Sequence, residues 1–136
     1  MAIEEPDDET SALSHAVLGA AIEVHRLLGP GFLERVYERA LCIELALRKI
    51  PFERQREFEV HYKGECVGEG RLDLLVGDRL VVELKAIKEV PHVDVIRTVS
   101  YLRSTDLLLA LIINFDVPVL RDGVQRVVAS RRGAAV

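Results

Sequence analysis

Apolar residues recur every three or four positions through Leu13, Val17, Ala20, Val24 and Leu27, the period of a helix with one buried face. The pattern predicts a helix beginning near Ser11. Gly29-Pro30-Gly31 stops it, because glycine suits a helix C-terminus and proline cannot continue the ladder. A second helix is predicted from Leu33 to Lys49, with Leu33, Val36, Tyr37, Ala40, Leu41 and Leu45 inward and Pro51 at its end. The period then becomes two. Phe58, Val60 and Tyr62 alternate with Glu59, His61 and Lys63, as in a half-buried strand with His61 on the solvated side. Gly64 turns the chain into a strand from Cys66 to Val76, where Gly68 and Gly70 imply a bulge or a close backbone approach. A third helix follows Pro91, from His92 to Arg103. It buries Val95, Val99 and Leu102 and carries Asp94, Arg97 and Tyr101 on another side. Leu107 to Phe115 is apolar on both faces, as in an interior strand that joins a neighbour in parallel through a crossover helix. Asp122-Gly123 marks a small hairpin between Val119-Leu120 and Val124 to Val128.

The stretch from Arg71 to Ala86 breaks this apolar logic. It reads as two strands rich in Leu and Val around Gly77-Asp78, yet it holds Asp73, Glu83 and Lys85. A charge inside a sheet is costly unless it is paired, hydrogen-bonded or bound to a metal. Register decides whether the two acids meet. A clean two-residue turn pairs Val76 with Arg79 and sends Glu83 to the opposite face; pairing Val76 with Leu80, or a bulge, brings Asp73 and Glu83 together. We expect one of the latter two. A plainer reading makes Glu83 and Lys85 the charged face of an edge strand, against which Val81, Val82, Leu84, Ala86 and Ile87 mark the strand as interior.

Composition narrows the classes. The 136 residues are 49% hydrophobic, which excludes a disordered chain and suits one domain. A net charge of -4 argues against a protein that coats nucleic acid electrostatically, and 5% aromatic residues leave few stacking platforms. Residues 1–10 read as a flexible acidic arm, 11–128 as the folded domain and 129–136 as a flexible tail. The acidic N-terminus, with no apolar core segment, leads us to expect no signal peptide, and no run in the sequence is long enough to span a bilayer. Cys42 and Cys66, without zinc spacing, are expected to be buried thiols in a reducing cytoplasm. His25, near the end of the first helix, is either a histidine favoured at a helix C-terminus or a site residue. Glu34, in the first turn of the second helix, suits the helix dipole without any further role.

Asp73, Glu83 and Lys85 have the Asp-x9-Glu-x-Lys spacing of the PD-(D/E)XK nuclease active site. Gly31-Phe32-Leu33-Glu34-Arg35-Val36-Tyr37 matches the motif that names the GxxExxY family. The stretches Gly19 to Gly31, Tyr62-Lys63-Gly64, Val82 to Ala86, Tyr101-Leu102-Arg103 and Ile112 to Phe115 also look like that family. The resemblance covers roughly residues 13 to 128. It implies an α/β restriction-endonuclease-like core: a mixed central sheet flanked by helices, in the order α-α-β-β-β-α-β, with the small C-terminal hairpin added. It implies a nuclease acting on DNA or RNA, with Asp73, Glu83 and the Leu84 carbonyl holding Mg2+ or Mn2+. Lys85 would orient the attacking water or stabilise charge on the phosphate, and Glu34 would complete the metal shell or hold a second ion. Where the family carries Gln and, before it, His, this sequence has Arg97 and Asp94. Arg97 then either meets a phosphate or pairs with Asp94 across one turn. Arg97, Tyr101 and Arg103 are the candidate substrate contacts, and a dimer would widen so small a groove.

Two rival readings remain. A non-catalytic module that keeps the nuclease fold to bind protein or nucleic acid predicts no metal affinity and a tolerated Lys85→Ala change. An enzyme or binder for a smaller phosphate compound predicts a closed pocket, whereas a nuclease predicts an open groove lined by residues such as Lys63, Lys88, Arg97 and Arg103.

Overall fold

The computed structural model describes residues 5–129. The parts of the expected arm and tail at 1–4 and 130–136 lie outside them. Helix α1 spans Asp8–Leu28 and α2 spans Glu34–Leu47. Strands β1 (Phe52–Tyr62), β2 (Glu65–Val76) and β3 (Leu80–Lys85) follow. Then come α3 (His92–Thr105), β4 (Leu109–Asn114), a 3-10 turn at Leu120–Gly123 and β5 (Val124–Val128). The order and the mixed sheet agree with the expected restriction-endonuclease-like core.

The five strands are ordered β1-β2-β3-β4-β5. Only β3 and β4 are parallel; the other neighbours are antiparallel. One face is covered by α1 and α2, where Val17, Val24, Tyr37, Leu41 and Leu45 pack on Leu74, Val82, Leu84 and Leu111. The other is covered by α3, where Leu102 packs with Leu72, Val81, Ala110 and Ile112. β4 is buried at every position, which explains a run apolar on both sides.

The ends of elements differ from the pattern for local reasons. α1 begins three residues before Ser11, because the Asp7 side chain accepts the Thr10 N–H at 2.7 Å and acids at Asp8 and Glu9 suit the exposed amides. Leu33 precedes α2 rather than packing inside it, and is 63% exposed. The buried line of α3 is Asp94, Thr98 and Leu102; Val95 and Val99 are only partly covered. No hairpin forms between Val119-Leu120 and β5. Asp122-Gly123 instead closes the 3-10 turn, which delivers β5 to the edge of β4. Cys42 is partly buried and Cys66 is exposed, so the expectation of two buried thiols fails. Cys66 lies on the outer half of the β1–β2 ribbon, beyond the cover of the helices. Among the described residues no helix is long and apolar enough to cross a membrane.

Tyr37 fastens α2 to its surroundings. Its ring stacks on Phe115 with centroids 4.5 Å apart. Its hydroxyl donates to the Gly29 carbonyl at 2.6 Å and accepts the Phe32 N–H at 3.1 Å. The Gly29–Leu33 connection is thereby fixed from within the core, and Glu34 follows directly from it. His25 does similar work for α1. It is buried, with Nε2 2.8 Å from the Val117 carbonyl.

Candidate active site

The β2–β3 ladder runs Val76↔Leu80, Leu75↔Val81 and Leu74↔Val82, then ends. Its three-residue connection has Gly77 and Asp78 both at φ 58, and Arg79 N–H donates to the Val76 carbonyl at 3.1 Å. This is the register that sets Asp73 toward Glu83 rather than sending them to opposite faces. Beyond Leu74 the strands fork, and Asp73 Oδ2 accepts the Leu84 N–H at 2.8 Å. The carboxylate takes a place that a strand carbonyl would fill in a continuous ladder. β3 meanwhile keeps its parallel pairing to β4, with Glu83↔Ile112, Leu84↔Ile113 and Lys85↔Asn114.

A clamp on the other side of β2 holds the approach of α2. Gln55 adopts φ 51 between the pairs Arg54↔Leu74 and Arg56↔Leu72, opposite Asp73. The Arg54 guanidinium reaches Glu38 Oε2 at 2.7 and 3.1 Å, and the Gln55 amide donates to Glu38 Oε1 at 2.8 Å. Buried Glu38 is thus fully engaged, and Glu34 stands one helical turn before it.

Electrostatics tie the acids together. Glu83 is 8% exposed, and its Oε1 has no hydrogen-bond partner among the described residues. Burial first, then the Asp73 charge, pushes the Glu83 carboxyl up to about 9. Glu34 is an exposed residue whose carboxyl is nevertheless raised, by desolvation first and then by Asp73, while Lys85 pulls the other way. Asp73, Glu83, Lys85 and Glu34 therefore form one interacting group drawn from three elements. Among the described residues Glu34, Asp73 and Glu83 do not converge as three donors at ligand spacing. Hard carboxylate oxygens with one buried acceptor unsatisfied are a donor set suited to a divalent cation of the Mg2+ type.

On the α3 side, Lys85 Nζ lies 3.7 Å from Asp94 Oδ2, and Asp94 Oδ1 accepts from Arg97 at 2.6 Å. Asp94 is itself buried and so lies between both cations. Tyr101 packs edge-on against Phe58 with centroids 5.0 Å apart. Arg103 is exposed in the last turn of α3.

Sequence reasoning did not single out Asp94 as a partner of Lys85; the one signal was its spacing to Arg97. It also gave no role to Asn114, although the stretch around it resembles the family. The Asn114 carboxamide accepts the Ile87 N–H at 3.1 Å and donates to the Ile87 carbonyl at 2.8 Å. Phe115 N–H donates to the Lys85 carbonyl at 2.9 Å. The chain leaving the site is pinned on both sides of Ala86.

No curated protein is similar enough to this chain to be matched. A sequence model described as the PD-(D/E)XK nuclease superfamily matches residues 11–127, from α1 into β5. That span contains the fork, the acid pair and the lysine, and the chain belongs to the PD-(D/E)XK nuclease superfamily.

Proposed function

We propose that the protein is a metal-dependent nuclease that hydrolyses phosphodiester bonds of nucleic acid at the β2–β3 fork. The observation that carries this reading is buried Glu83, with an unsatisfied oxygen and a raised pKa beside Asp73. Burying Glu83 beside the half-buried Asp73 is costly unless a cation neutralises the pair, and superfamily membership supplies a chemical reason for keeping it.

A divalent cation such as Mg2+ or Mn2+, when bound by Asp73, Glu83 and the Leu84 carbonyl, supplies a Lewis acid for the phosphodiester and acidifies a water. The chain's own residues set the geometry. Asp73 commits Oδ2 to the Leu84 amide, which fixes its rotamer and leaves Oδ1 for ligation. Lys85 brings positive charge to the scissile phosphate. Its contact to Asp94, at 3.7 Å, is long enough to aim the ammonium without consuming it. Glu34, which feels the charges of both Asp73 and Lys85, completes the metal shell or holds a second ion. Arg97 has a half-exposed guanidinium tethered by Asp94 and takes a flanking phosphate, with Arg103 further along the helix. Tyr101 supports that face through Phe58.

Polymeric substrate is favoured over a small phosphate compound by the surface beside α2. A cleft of about 670 Å³ there is lined by Arg35, Arg39 and Arg54 as well as Ile43. Arg35 and Arg39 are exposed and one turn apart. They offer contacts to a backbone entering along the helix that carries Glu34.

The test is cleavage of duplex DNA, single-stranded DNA and RNA with Mg2+ or Mn2+, beside an identically prepared Lys85→Ala protein. Cleavage by the wild type alone supports the proposal, and the preferred polymer names the substrate. Equal cleavage by both, or by neither, overturns it.

A further inference from the structure

The β1–β2 ribbon continues well past the helices. Residues 61–69 are all exposed, and the ribbon ends in a tight turn with Lys63 at φ 49 and Gly64 at φ 85. A two-stranded ribbon with no cover on either face is marginal by itself. At this unsupported tip, three metal-binding side chains of different chemistry converge.

His61 and Cys66 are cross-strand partners, and Glu59 lies two residues before His61. A bulge separates Val60↔Gly68 from His61↔Cys66, so that Val67 has no counterpart on β1. An extra residue of this kind re-aims the neighbouring side chains. Glu59 Oε1 lies 3.3 Å from His61 Nε2, and Cys66 Sγ is held 3.4 Å from the Gly68 carbonyl. One ligand atom from each of Glu59, His61 and Cys66 lies within 4.8 Å of the others, and no other group of three such residues does so among those described.

We propose that Glu59, His61 and Cys66 form a second metal site, specific for a Zn2+-class cation, that clips the tip of the ribbon. The donors are one carboxylate oxygen, one imidazole nitrogen and one thiolate. Zinc takes these in tetrahedral geometry at about 2.0–2.3 Å, so small side-chain rotations close the spacing seen here. The fourth position is open to water. Sulfur and nitrogen donors reject Mg2+, which prefers oxygen, so this site and the carboxylates at the fork select different metals. Joining Cys66 on β2 to Glu59 and His61 on β1 gives the ribbon the cross-link that packing does not supply. The inference is independent of the nuclease reading.

The experiment is a Co2+ titration of the reduced, metal-free full chain, followed by absorption. Co2+ serves as a spectroscopic stand-in for Zn2+. We expect one equivalent to produce a thiolate charge-transfer band and intense visible bands of four-coordinate cobalt, both erased by Zn2+. They should vanish in Cys66→Ser and persist in Cys42→Ser and Asp73→Asn. Zn2+ should also slow hydrogen exchange of the amides around Lys63 and Gly64. No thiolate band in the wild type, or an undiminished band in Cys66→Ser, overturns the proposal. Because all three side chains are exposed, the variants are expected to unfold at the wild-type midpoint in the absence of metal.

Discussion

Asp73 accepts the backbone N–H of Leu84 at 2.8 Å, across the gap where β2 and β3 stop pairing. One side chain thereby does two things. It satisfies an amide that the fork would otherwise leave without a strand partner, and it is held beside Glu83 by that same bond.

Asp73→Asn and Asp73→Ala should separate these roles. Asparagine keeps an oxygen for the Leu84 amide, so its stability should stay close to wild type while metal-dependent cleavage is lost. Alanine leaves the amide unsatisfied and should cost a further ~1–3 kcal/mol. Urea denaturation of both, beside a cleavage assay, checks the split.

The raised Glu83 pKa makes a signed prediction about pH. The unfolded carboxyl titrates near about 4.3, and the folded one at about 9. Between those values the folded state binds more protons than the unfolded one, so stability falls as pH rises. The contribution is fully present below about pH 4 and is lost through pH 9; Glu34, also raised, adds in the same direction. Metal-free protein should show a Tm that declines across this window. In Glu83→Gln the decline should be markedly shallower.

Asp94 positions Lys85 and Arg97 together, and its removal should unsettle both cations. Asp94→Asn is expected to slow cleavage by roughly 10- to 100-fold, as outer-shell changes do, without abolishing it. A shifted pH–rate profile would separate this from general destabilisation, which leaves the profile in place.

Gly70 allows Phe58 to lie across the strand: a Cβ there would come within 2.3 Å of the Phe58 ring. Gly70→Ala should therefore destabilise the fold by ~1–3 kcal/mol. Because Phe58 also supports Tyr101, combining it with Phe58→Leu should recover part of the loss.

The element order, the crossover and the acid pair were legible because each follows from local periodicity or from charge in an apolar run; the place of β5 beside β4 was not, since Val119-Leu120 read as its partner. The register was legible only as a pair of alternatives. Leu13 decides nothing there from sequence, yet it packs over Gly77, where an added Cβ would come within 2.8 Å of it. Asp94 could be read as a partner of Arg97 but not of Lys85. Its partner Lys85 lies on another element, and a carboxylate grouped with polar neighbours gives no sign that two cations will bury it. Glu38 was hidden likewise, since Arg54 and Gln55 meet it only after β1 twists at Gln55. Cys66 misled because cysteine is ordinarily buried, and only the length of the exposed ribbon reverses that expectation.

The parallel pairing of β3 with β4 also sets the order in which the site comes into being during folding. The β2–β3 hairpin closes over three residues, so Asp73 and Glu83 are expected to meet early, while still in water. Burial of Glu83 is expected to wait until the chain has run through α3 and brought β4 alongside β3, a non-local closure and so a slow one. Proton uptake by Glu83, whose carboxyl is raised by burial, is therefore predicted to accompany that late stage. Refolding at high pH should be retarded at that stage, after the hairpin has already formed.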